Sequence, residues 1–459
     1  MNQDIDQSVK DPGHGLAEGD KAAPTGEPVT FTWSGNPWAL FGLSLLNFVL
    51  TVLTLGIYYF WAKTEVRRRI WSSVRISGEL LVYTGRGREL FLGFLIVLGL
   101  VFVPTIVVTM GLQIFFGPGS PVVVGFQVVL YIVFLFLFGL AVYRARRYRL
   151  SRTRWRGIRG ALVPVSNVVP RHGRASGPVV YQAQQALRRH GYECPLDASP
   201  GGATGAALAK FQRDQGLDIS GKLDEATIRA LELRRPDLTR GGGMRYARSA
   251  FWTMLLIPLT LGWIVPWQTS FLYGRLTNDM AFGDRFFRYT GRSGPIYRRY
   301  VVFWIGVLLL FSGGGFIISQ LVSTWVLRLG RTGGPRLDPV QSLIILALVL
   351  VGLLIYTILS AWYYARVYNH LFGHTHFDQA RFRLRATAWS LVAMVVTNFL
   401  IVIFSLGILR PIAQARISRY FIDRLSVEGT VDFASIAQSQ AALDATGEGL
   451  AEAFDIDAF

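Results

Sequence analysis

The string TLGIYYFW, residues Thr54 to Trp61, occurs in three related forms in this sequence. The second copy is TLGWIVPW, Thr260 to Trp267, and the third is SLGILRPI, Ser405 to Ile412. Each copy ends an apolar run and precedes a polar stretch with basic residues. Internal repeats of this kind are typical of membrane proteins built from modules. The repeat therefore predicts two full modules, each with a Leu-Gly segment and two longer apolar helices, and a final half module.

The register of the repeat extends beyond the Leu-Gly strings. Asn47 and Asn398 both stand nine residues before the glycine of their copy. The string YTGR follows the first two copies, at Tyr83 to Arg86 and at Tyr289 to Arg292. The polar stretch RISGELLVYTG, Arg75 to Gly85, alternates in polarity and predicts a short β-hairpin at the membrane interface.

Composition and charge indicate a membrane protein. Hydrophobic residues make up 51% of the 459 residues, charged residues only 17%, and the mean hydropathy is +0.36. Many of the basic residues behind the net charge of +18 lie in runs beside apolar segments, where they can contact anionic headgroups. We therefore expect membrane lipids as partners and no nucleic acid. The runs are Arg67 to Arg69, Arg144 to Arg149 and Arg381 to Arg385.

Seven apolar runs approach the roughly 20 residues that a membrane-spanning helix requires. The fold class predicted from them is an all-α integral membrane protein with repeated helical modules, 4 to 7 membrane segments and a small helical inserted soluble domain. The runs are 38–61, 90–115, 121–143, 250–267, 301–327, 340–364 and 388–409.

Two arrangements fit these runs: seven full crossings, or four crossings with the three Leu-Gly segments re-entrant. Lys and Arg accumulate on the cytoplasmic side of membrane proteins. Seven crossings would place the Arg-rich stretches 144–160 and 268–299 on opposite sides, whereas re-entrant segments place every strongly basic stretch on one side. Pro266 and Pro411, four residues after Gly262 and Gly407, also favour a break there, because irregular backbone is tolerated where protein buries it.

The chain divides into five segments by composition. Residues 1–30 are polar and have no apolar h-region, so we expect a disordered N-terminal tail and no cleavable signal peptide. Residues 31–163 form a first membrane module, 170–238 an inserted domain with soluble amphipathic patterning, and 243–434 a second module plus the final half module. Residues 435–459 form an acidic C-terminal tail.

The motifs of the membrane modules resemble the YjgN-like family of bacterial inner-membrane proteins. They are TLG with an aromatic-Trp pair, WAKxxxRRR at Trp61 to Arg69, and the spacing of Gly78, Tyr83 and Gly85. The resemblance covers about 29–163 and 243–434. It implies a multi-pass protein of the bacterial inner membrane and supplies no accepted substrate or catalytic residue.

The inserted segment resembles a small helical peptidoglycan-binding-like domain over about 178–233. The motif residues include Gln184, Leu187, Gly216, Leu217 and Thr227, whereas Ala198 and Pro200 depart from the usual Asp-Gly turn. The Arg-rich flanks favour a cytoplasmic insert, with a periplasmic one as the alternative, since long loops can cross regardless of charge. The resemblance implies five candidate glycan-binding positions: Tyr192, Asp197, Thr204, Phe211 and Gln212.

Few residues indicate catalysis, metal binding or ion coupling. His370, His374 and His376 fit interfacial histidines better than a metal site, and the single Cys194 excludes an internal disulfide or a cysteine-based metal cage. We interpret Ser312 to Gly315 as a helix-packing seam, with a backbone-lined site as the alternative. The cores of the apolar runs lack Asp and Glu, which argues against proton-coupled transport. With no hydrolase or phosphate-loop motif, we expect no enzyme, cofactor or metal site.

The sequence thus predicts a multi-spanning inner-membrane protein, transporter-like or envelope-organising, in which the Leu-Gly segments surround a central site or a seam of small residues. The alternative is a membrane-anchored glycan-binding protein, with peptidoglycan or an envelope protein as its partner. The candidate repeat-motif positions are Gly56, Trp61, Lys63, Arg67, Gly262, Pro266, Trp267, Gly407 and Pro411.

Overall fold

A computed structural model describes residues 27–167, 177–196, 199, 201–231, 233–236, 242–332, 339–433 and 436. The chain forms two compact units. The insert unit contains Asn167–Arg235, and the membrane unit contains Gly26–Ser166 and Pro236–Phe459. The acidic tail lies outside the described residues from 437 onward, as does most of the N-terminal tail.

Helices dominate both units. In chain order they are α1 (Phe41–Leu53), α2 (Tyr59–Trp71), α3 (Gly87–Val97), α4 (Val103–Phe116), α5 (Pro121–Arg152), α6 (Gly177–Arg189), α7 (Gly202–Asp214), α8 (Glu225–Ala230), α9 (Gly242–Leu259), α10 (Val265–Asn278), α11 (Gly294–Thr332), α12 (Pro339–Gly373), α13 (Ala388–Phe404) and α14 (Arg410–Ile422). A 3-10 turn, Pro37–Leu40, precedes α1, and a π-helical turn, Leu98–Phe102, joins α3 to α4.

Short strands follow the helices. They are β1 (Glu27–Pro28), β2 (Phe31–Trp33), β3 (Val74–Ile76), β4 (Glu79–Leu80), β5 (Val82–Tyr83), β6 (Thr153–Trp155), β7 (Ile158–Leu162), β8 (Val165–Asn167), β9 (Arg234–Pro236), β10 (Met280–Phe282), β11 (Arg285–Tyr289), β12 (Thr375–Phe377), β13 (Ala380–Leu384), β14 (Leu425–Glu428) and β15 (Thr430–Val431).

Four helical segments in the described part of the chain are long and apolar enough to cross a membrane. They carry large apolar side chains on their surfaces, such as Phe115, Leu309 and Leu354, which are half or more exposed and suited to lipid. The predicted membrane fold class is thereby confirmed. The segments are Gly87–Phe116, Pro121–Arg152, Gly294–Gln320 and Ser342–Gly373.

Each Leu-Gly segment forms a helical hairpin. The pairs α1/α2, α9/α10 and α13/α14 contact each other, and their apolar first helices contain 13, 18 and 17 residues. At 1.5 Å per residue these helices are about 20, 27 and 26 Å long, so each is shorter than the hydrocarbon core of about 30 Å, the first by the largest margin. After each turn the chain runs back along the first helix instead of continuing forward. This geometry supports re-entrant segments over seven full crossings.

The three turns share one backbone conformation. The leucine and the glycine of each pair both have positive φ, for example 50° at Leu55 and 91° at Gly56. Glycine adopts this region freely, but leucine rarely does. The leucines stand at the hairpin tips, where Leu55, Leu261 and Leu406 are 94%, 76% and 91% exposed. Three copies therefore present an apolar side chain in the same strained position at the end of a hairpin.

An eight-stranded antiparallel sheet joins the three modules, which the sequence did not predict. Its strand order is β14-β13-β12-β11-β10-β7-β6-β5. Strands after the hairpins pair with strands after α5 and α12, as at Met280 opposite Leu162 and Phe287 opposite Phe377. The predicted hairpin between Arg75 and Gly85 is present, but it is β3-β4, in a separate sheet with β2.

The ordered chain begins earlier than predicted. Residues 27–30 were assigned to the disordered tail, yet β1 pairs with β15, placing Glu27 opposite Val431. Val29 is buried in an apolar cluster with Phe377, Val431 and Ile436. These backbone and apolar contacts explain the order, because the C-terminal strand supplies a partner that is remote in sequence.

The insert unit packs three helices, α6 to α8, around a small apolar core. The core residues share helical spacing and include Leu187, Leu208, Phe211, Ile228 and Leu231. Gly191, Gly216 and Gly221 have positive φ and end or connect the helices.

Candidate functional site

The first and third hairpins pack against each other through α14, which contacts both α1 and α2. Their shared apolar cluster contains Leu40, Val66, Ile70, Ile412 and Ala415, all buried. On either side of these contacts the helices leave two cavities that share Lys63 and Gln414.

The first of them, which we call the basic cavity, lies where α2, α5 and α14 meet. It has a volume of about 230 Å³, and in the described part of the chain it is lined by four basic side chains and no acidic one. Lys63 and Arg67 stand one turn apart on α2, and Arg146 and Arg149 stand three residues apart on α5, so each pair shares a helix face. A cavity lined by one sign of charge in a low-dielectric wall concentrates ions of the opposite sign.

The basic cavity is held in place by buried and hydrogen-bonded side chains. Arg67 is 7% exposed and Arg149 is 9% exposed, so both guanidinium groups lie inside the protein. Trp71 Nε1 donates a hydrogen bond of 2.9 Å to Thr153 Oγ1, which ties the end of α2 to the end of α5. Arginine is well suited to bind carboxylate or phosphate groups by its planar fork of N–H donors. The cavity thus gathers four side chains whose chemistry is complementary to an anion.

The second cavity, which we call the hairpin cavity, lies between α1, α2 and the start of α14. Its volume is about 180 Å³. Its lining includes Lys63 and Arg410, and none of its described lining residues is acidic. They are Ser44, Asn47, Phe48, Thr51, Tyr59, Ala62, Lys63, Val66, Gly407, Ile408, Arg410, Pro411 and Gln414.

Four of the predicted repeat-motif positions lie at these cavities. Lys63 lines both, Arg67 lines the basic cavity, and Gly407 and Pro411 line the hairpin cavity. The sequence did not single out Arg146, Arg149, Arg410 or Gln414. The Arg-rich end of α5 was a usable signal for the first two, but their convergence with α2 comes only from helix packing.

The other repeat-motif positions support the structure instead. Gly56 lies at the exposed tip of the first hairpin, where an added Cβ would meet nothing within 4 Å, and Trp61 packs on Phe91 with ring centroids 5.7 Å apart. In the second hairpin, Pro266 is buried and Trp267 stacks on Phe271 at 4.7 Å.

The second hairpin does not contribute its predicted motif positions to these two cavities. Neither cavity is lined by Gly262, Pro266 or Trp267 of the second hairpin. That hairpin is held against α11, because Tyr300 Oη donates a 2.6 Å hydrogen bond to the Gly262 carbonyl oxygen.

The interpreted seam from Ser312 to Gly315 does not pack as expected. An added Cβ at Gly313, Gly314 or Gly315 would meet nothing within 4 Å among the described residues. The histidines bond to backbone or side-chain oxygens: His370 Nε2 lies 2.9 Å from the Arg292 carbonyl oxygen, and His374 Nδ1 lies 2.8 Å from the His370 carbonyl oxygen.

Three of the five candidate glycan-binding positions are interior. Phe211, Gln212 and Thr204 are at most 1% exposed. Gln212 Nε2 donates to Thr227 Oγ1 at 2.7 Å, and its Oε1 accepts from the Gly221 backbone at 2.8 Å. These three side chains are therefore not accessible to a glycan, and they stabilise the fold of the domain instead.

The remaining two candidates differ from these. Tyr192 is partly exposed, and its hydroxyl donates a 2.7 Å hydrogen bond to Asp214 Oδ2. Partial burial and the carboxylate of Asp214 raise the pKa of Tyr192 to about 12. Asp197 lies outside the described residues.

Four long apolar helices, three repeated hairpins and a basic cavity define a multi-spanning membrane protein built from repeated modules. The chain belongs to the family described as bacterial protein of unknown function (DUF898), whose model matches residues 28–165 and 238–453. A second family model, for a domain described as peptidoglycan binding, matches residues 176–231. Both resemblances expected from the sequence are confirmed.

A curated relative is similar over a shorter stretch. Inner membrane protein YjgN of Salmonella typhimurium (strain LT2) is 35% identical over 68 residues, which cover 15% of this chain and 17% of that protein. No solved structure matches the chain.

Proposed function

We propose that this protein is a transporter-like, multi-pass protein of the bacterial inner membrane that binds a small anion in the basic cavity and is not an enzyme. The observation that carries the proposal is the lining of that cavity by Lys63, Arg67, Arg146 and Arg149, with no acidic side chain among the described lining residues. Discontinuous helices that turn back within the membrane are typical of transporter binding sites. The first and third hairpins supply such helices here.

Binding is tested with the full-length protein in detergent and inorganic phosphate as the probe. Hydrogen bonds to charged groups contribute about 1.5–3 kcal/mol, so we expect Arg67→Gln or Arg149→Gln to weaken phosphate binding about tenfold to 100-fold. Isothermal titration measures the affinity. Arg383→Gln is the matched control, because Arg383 lies half-exposed on the sheet in a pair with Glu428. Equal affinities in all three variants and the parent would refute an anion site in the basic cavity.

The positions of the basic residues support one orientation in the membrane. The sheet lies at the Arg-rich end of α5, where the Thr84 backbone donates a 2.9 Å hydrogen bond to the Arg152 carbonyl oxygen. The opposite end of α5 follows the uncharged loop Gly117 to Ser120. Since basic residues accumulate on the cytoplasmic side, we place the sheet in the cytoplasm and the hairpin tips within the bilayer.

The same orientation supports a cytoplasmic position for the insert. The membrane unit ends before the insert near Pro164 and resumes at Gly242, and an added Cβ at Gly242 would come within 3.1 Å of Pro164 Cδ. Gly242 also lies against Tyr143, which precedes the Arg run of α5. Both attachment points are thus at the basic end. We propose a cytoplasmic insert, which disfavours mature peptidoglycan as its ligand.

Cysteine labelling in spheroplasts tests this topology. The native Cys194 is a poor reporter, because it is buried and its thiol donates a 3.3 Å hydrogen bond to the Gln184 carbonyl oxygen. In a Cys194→Ala background, we expect the exposed Asp218→Cys to react with a membrane-impermeant maleimide only after permeabilisation. Pro118→Cys, in the loop between α4 and α5, is expected to react in intact spheroplasts. The reverse pattern would place the insert outside.

A further inference from the structure

The position nine residues before the glycine of each Leu-Gly turn is polar and buried in all three hairpins. It is occupied by Asn47, Thr253 and Asn398, which are 5%, 4% and 6% exposed. A buried polar group in an apolar helix pair requires a hydrogen-bond partner, because it loses its contacts with water. The three copies thus provide an internal comparison of how that requirement is met.

In the second and third hairpins, the hydrogen-bond partner of this polar residue comes from the second helix of the same hairpin. Asn398 Oδ1 accepts a 2.8 Å hydrogen bond from Arg416 Nε, and Asn398 Nδ2 donates a 3.3 Å hydrogen bond to the Ala413 carbonyl oxygen. In the second hairpin, Gln268 Nε2 donates to Thr253 Oγ1 at 3.1 Å. In these two copies the polar residue therefore serves to join the two helices of the hairpin.

The first hairpin lacks this arrangement. Both Oδ1 and Nδ2 of Asn47 are buried, and neither has a hydrogen-bond partner among the described residues. The reason lies in the second helix: Ala62 stands six residues after the glycine, where Gln268 stands in the second copy. Glu65 stands where the third copy has Arg416, and Glu65 pairs with Arg68 at 2.9 Å.

The unpartnered amide belongs to a residue that lines the hairpin cavity. Lys63 and Arg410 line the same cavity, and Phe48 and Ile408 add apolar surface. The cavity volume of about 180 Å³ compares with roughly 30 Å³ per molecule of liquid water, which leaves room for a small polar group. Two cations suit a phosphate, and the amide offers N–H donors to phosphate and a carbonyl oxygen that accepts from a hydroxyl.

We propose that Asn47, Lys63 and Arg410 form a binding site for a phosphate ester that also carries a hydroxyl group. The proposal rests on the proposed anion-binding function and names its ligand chemistry. The phosphate interacts with Lys63 and Arg410, and the hydroxyl donates to Asn47 Oδ1. Both a phosphatidylglycerol headgroup that enters between the first and third hairpins and a soluble glycerol phosphate have this chemistry.

The test compares Asn47→Leu with the matched variant Asn398→Leu in the full-length protein. Two probes distinguish the sources: glycerol 3-phosphate added to protein in detergent, followed by titration calorimetry, and nanodiscs of phosphatidylglycerol or phosphatidylcholine, followed by native mass spectrometry of retained lipid. Asn47→Leu and Arg410→Gln are expected to reduce binding at least tenfold. Asn398→Leu is expected to retain it. Retention of phosphatidylglycerol assigns the site to lipid, whereas binding of glycerol 3-phosphate alone assigns it to a soluble ester.

Thermal unfolding of the ligand-free proteins separates a binding role from a structural one. Asn47→Leu removes an unpartnered amide and is expected to unfold no earlier than the parent. Asn398→Leu removes the hydrogen bonds of Asn398 with Arg416 Nε and the Ala413 carbonyl oxygen, and is expected to unfold earlier. Unchanged binding by Asn47→Leu, or a loss of stability equal to that of Asn398→Leu, would overturn the proposal. If Arg67→Gln still weakens phosphate binding in that case, the proposal of an anion site in the basic cavity is retained. If Arg67→Gln also binds phosphate like the parent, both proposals fail.

Discussion

Asp378→Asn is expected to destabilise the membrane unit by about 3–5 kcal/mol, since removing one partner of a buried ion pair leaves an uncompensated charge. Asp378 and Arg285 form an ion pair in which their side chains are 4% and 7% exposed. Arg285 begins β11, and Asp378 lies in the turn between β12 and β13 with φ of 55°. Asparagine tolerates positive φ, so the variant changes the charge with little change in backbone preference.

Thermal and denaturant unfolding of the purified protein in detergent measure the effect. Glu428→Gln is the control, because its 3.0 Å pair with Arg383 has both side chains 48% exposed and such pairs contribute about 0–1 kcal/mol. A loss of stability in Asp378→Asn no greater than in the control would show that the buried pair does not hold the strands together. A large loss would show that the buried pair holds β11 to the β12–β13 turn within the second module.

Phe211→Ala is expected to unfold the insert while the membrane unit remains folded. Phe211 is 1% exposed and packs among Leu208, Ile228 and Leu231, and truncating a buried phenylalanine costs about 3–5 kcal/mol. A domain of this size has a small core and marginal stability, so the loss approaches its whole free energy of unfolding. Limited proteolysis is the measurement: new cleavage within 177–231 is expected, and Gln215→Ala, at an exposed position, is the control.

The same variant separates the two candidate functions. If the membrane unit binds the anion, Phe211→Ala retains phosphate affinity despite its unfolded insert. If the insert instead recognises glycan, the parent protein is retained on purified sacculi and Phe211→Ala is not. Retention of the parent, together with loss of phosphate binding in Phe211→Ala, would contradict the proposed function and favour the membrane-anchored glycan-binding alternative.

Much of the membrane architecture was predictable because its signals are local. Apolar length identified the four spanning segments, and the repeated Leu-Gly string identified the three hairpins. The eight-stranded sheet was not predictable in the same way. Its strands contain only two to five residues and pair with strands of other modules, so their stability comes from contacts that are distant in sequence.

The candidate site was half predictable. Lys63 and Arg67 follow from the repeat motif and its basic run, and both line the basic cavity. Arg146 and Arg149 of α5 line the basic cavity, and Arg410 of α14 lines the hairpin cavity. These helices are remote from α2 in sequence and come close to it only in the folded protein. In the insert, the sequence predicts Phe211 and Gln212 as glycan contacts, whereas the structure buries both side chains. Residues that define a domain motif are often those that form its core.

By itself the sequence determined that this chain is a repeated, multi-spanning membrane protein with an insert, since hydropathy, charge runs and glycine turns act over one or two helices. Only the tertiary structure decided which hairpins face each other, where the basic side chains converge and which buried asparagine lacks a partner. Those features depend on packing between elements hundreds of residues apart, as between Asn47 and Arg410. The Leu-Gly repeat predicted three equivalent hairpins, and their packing made the first one different.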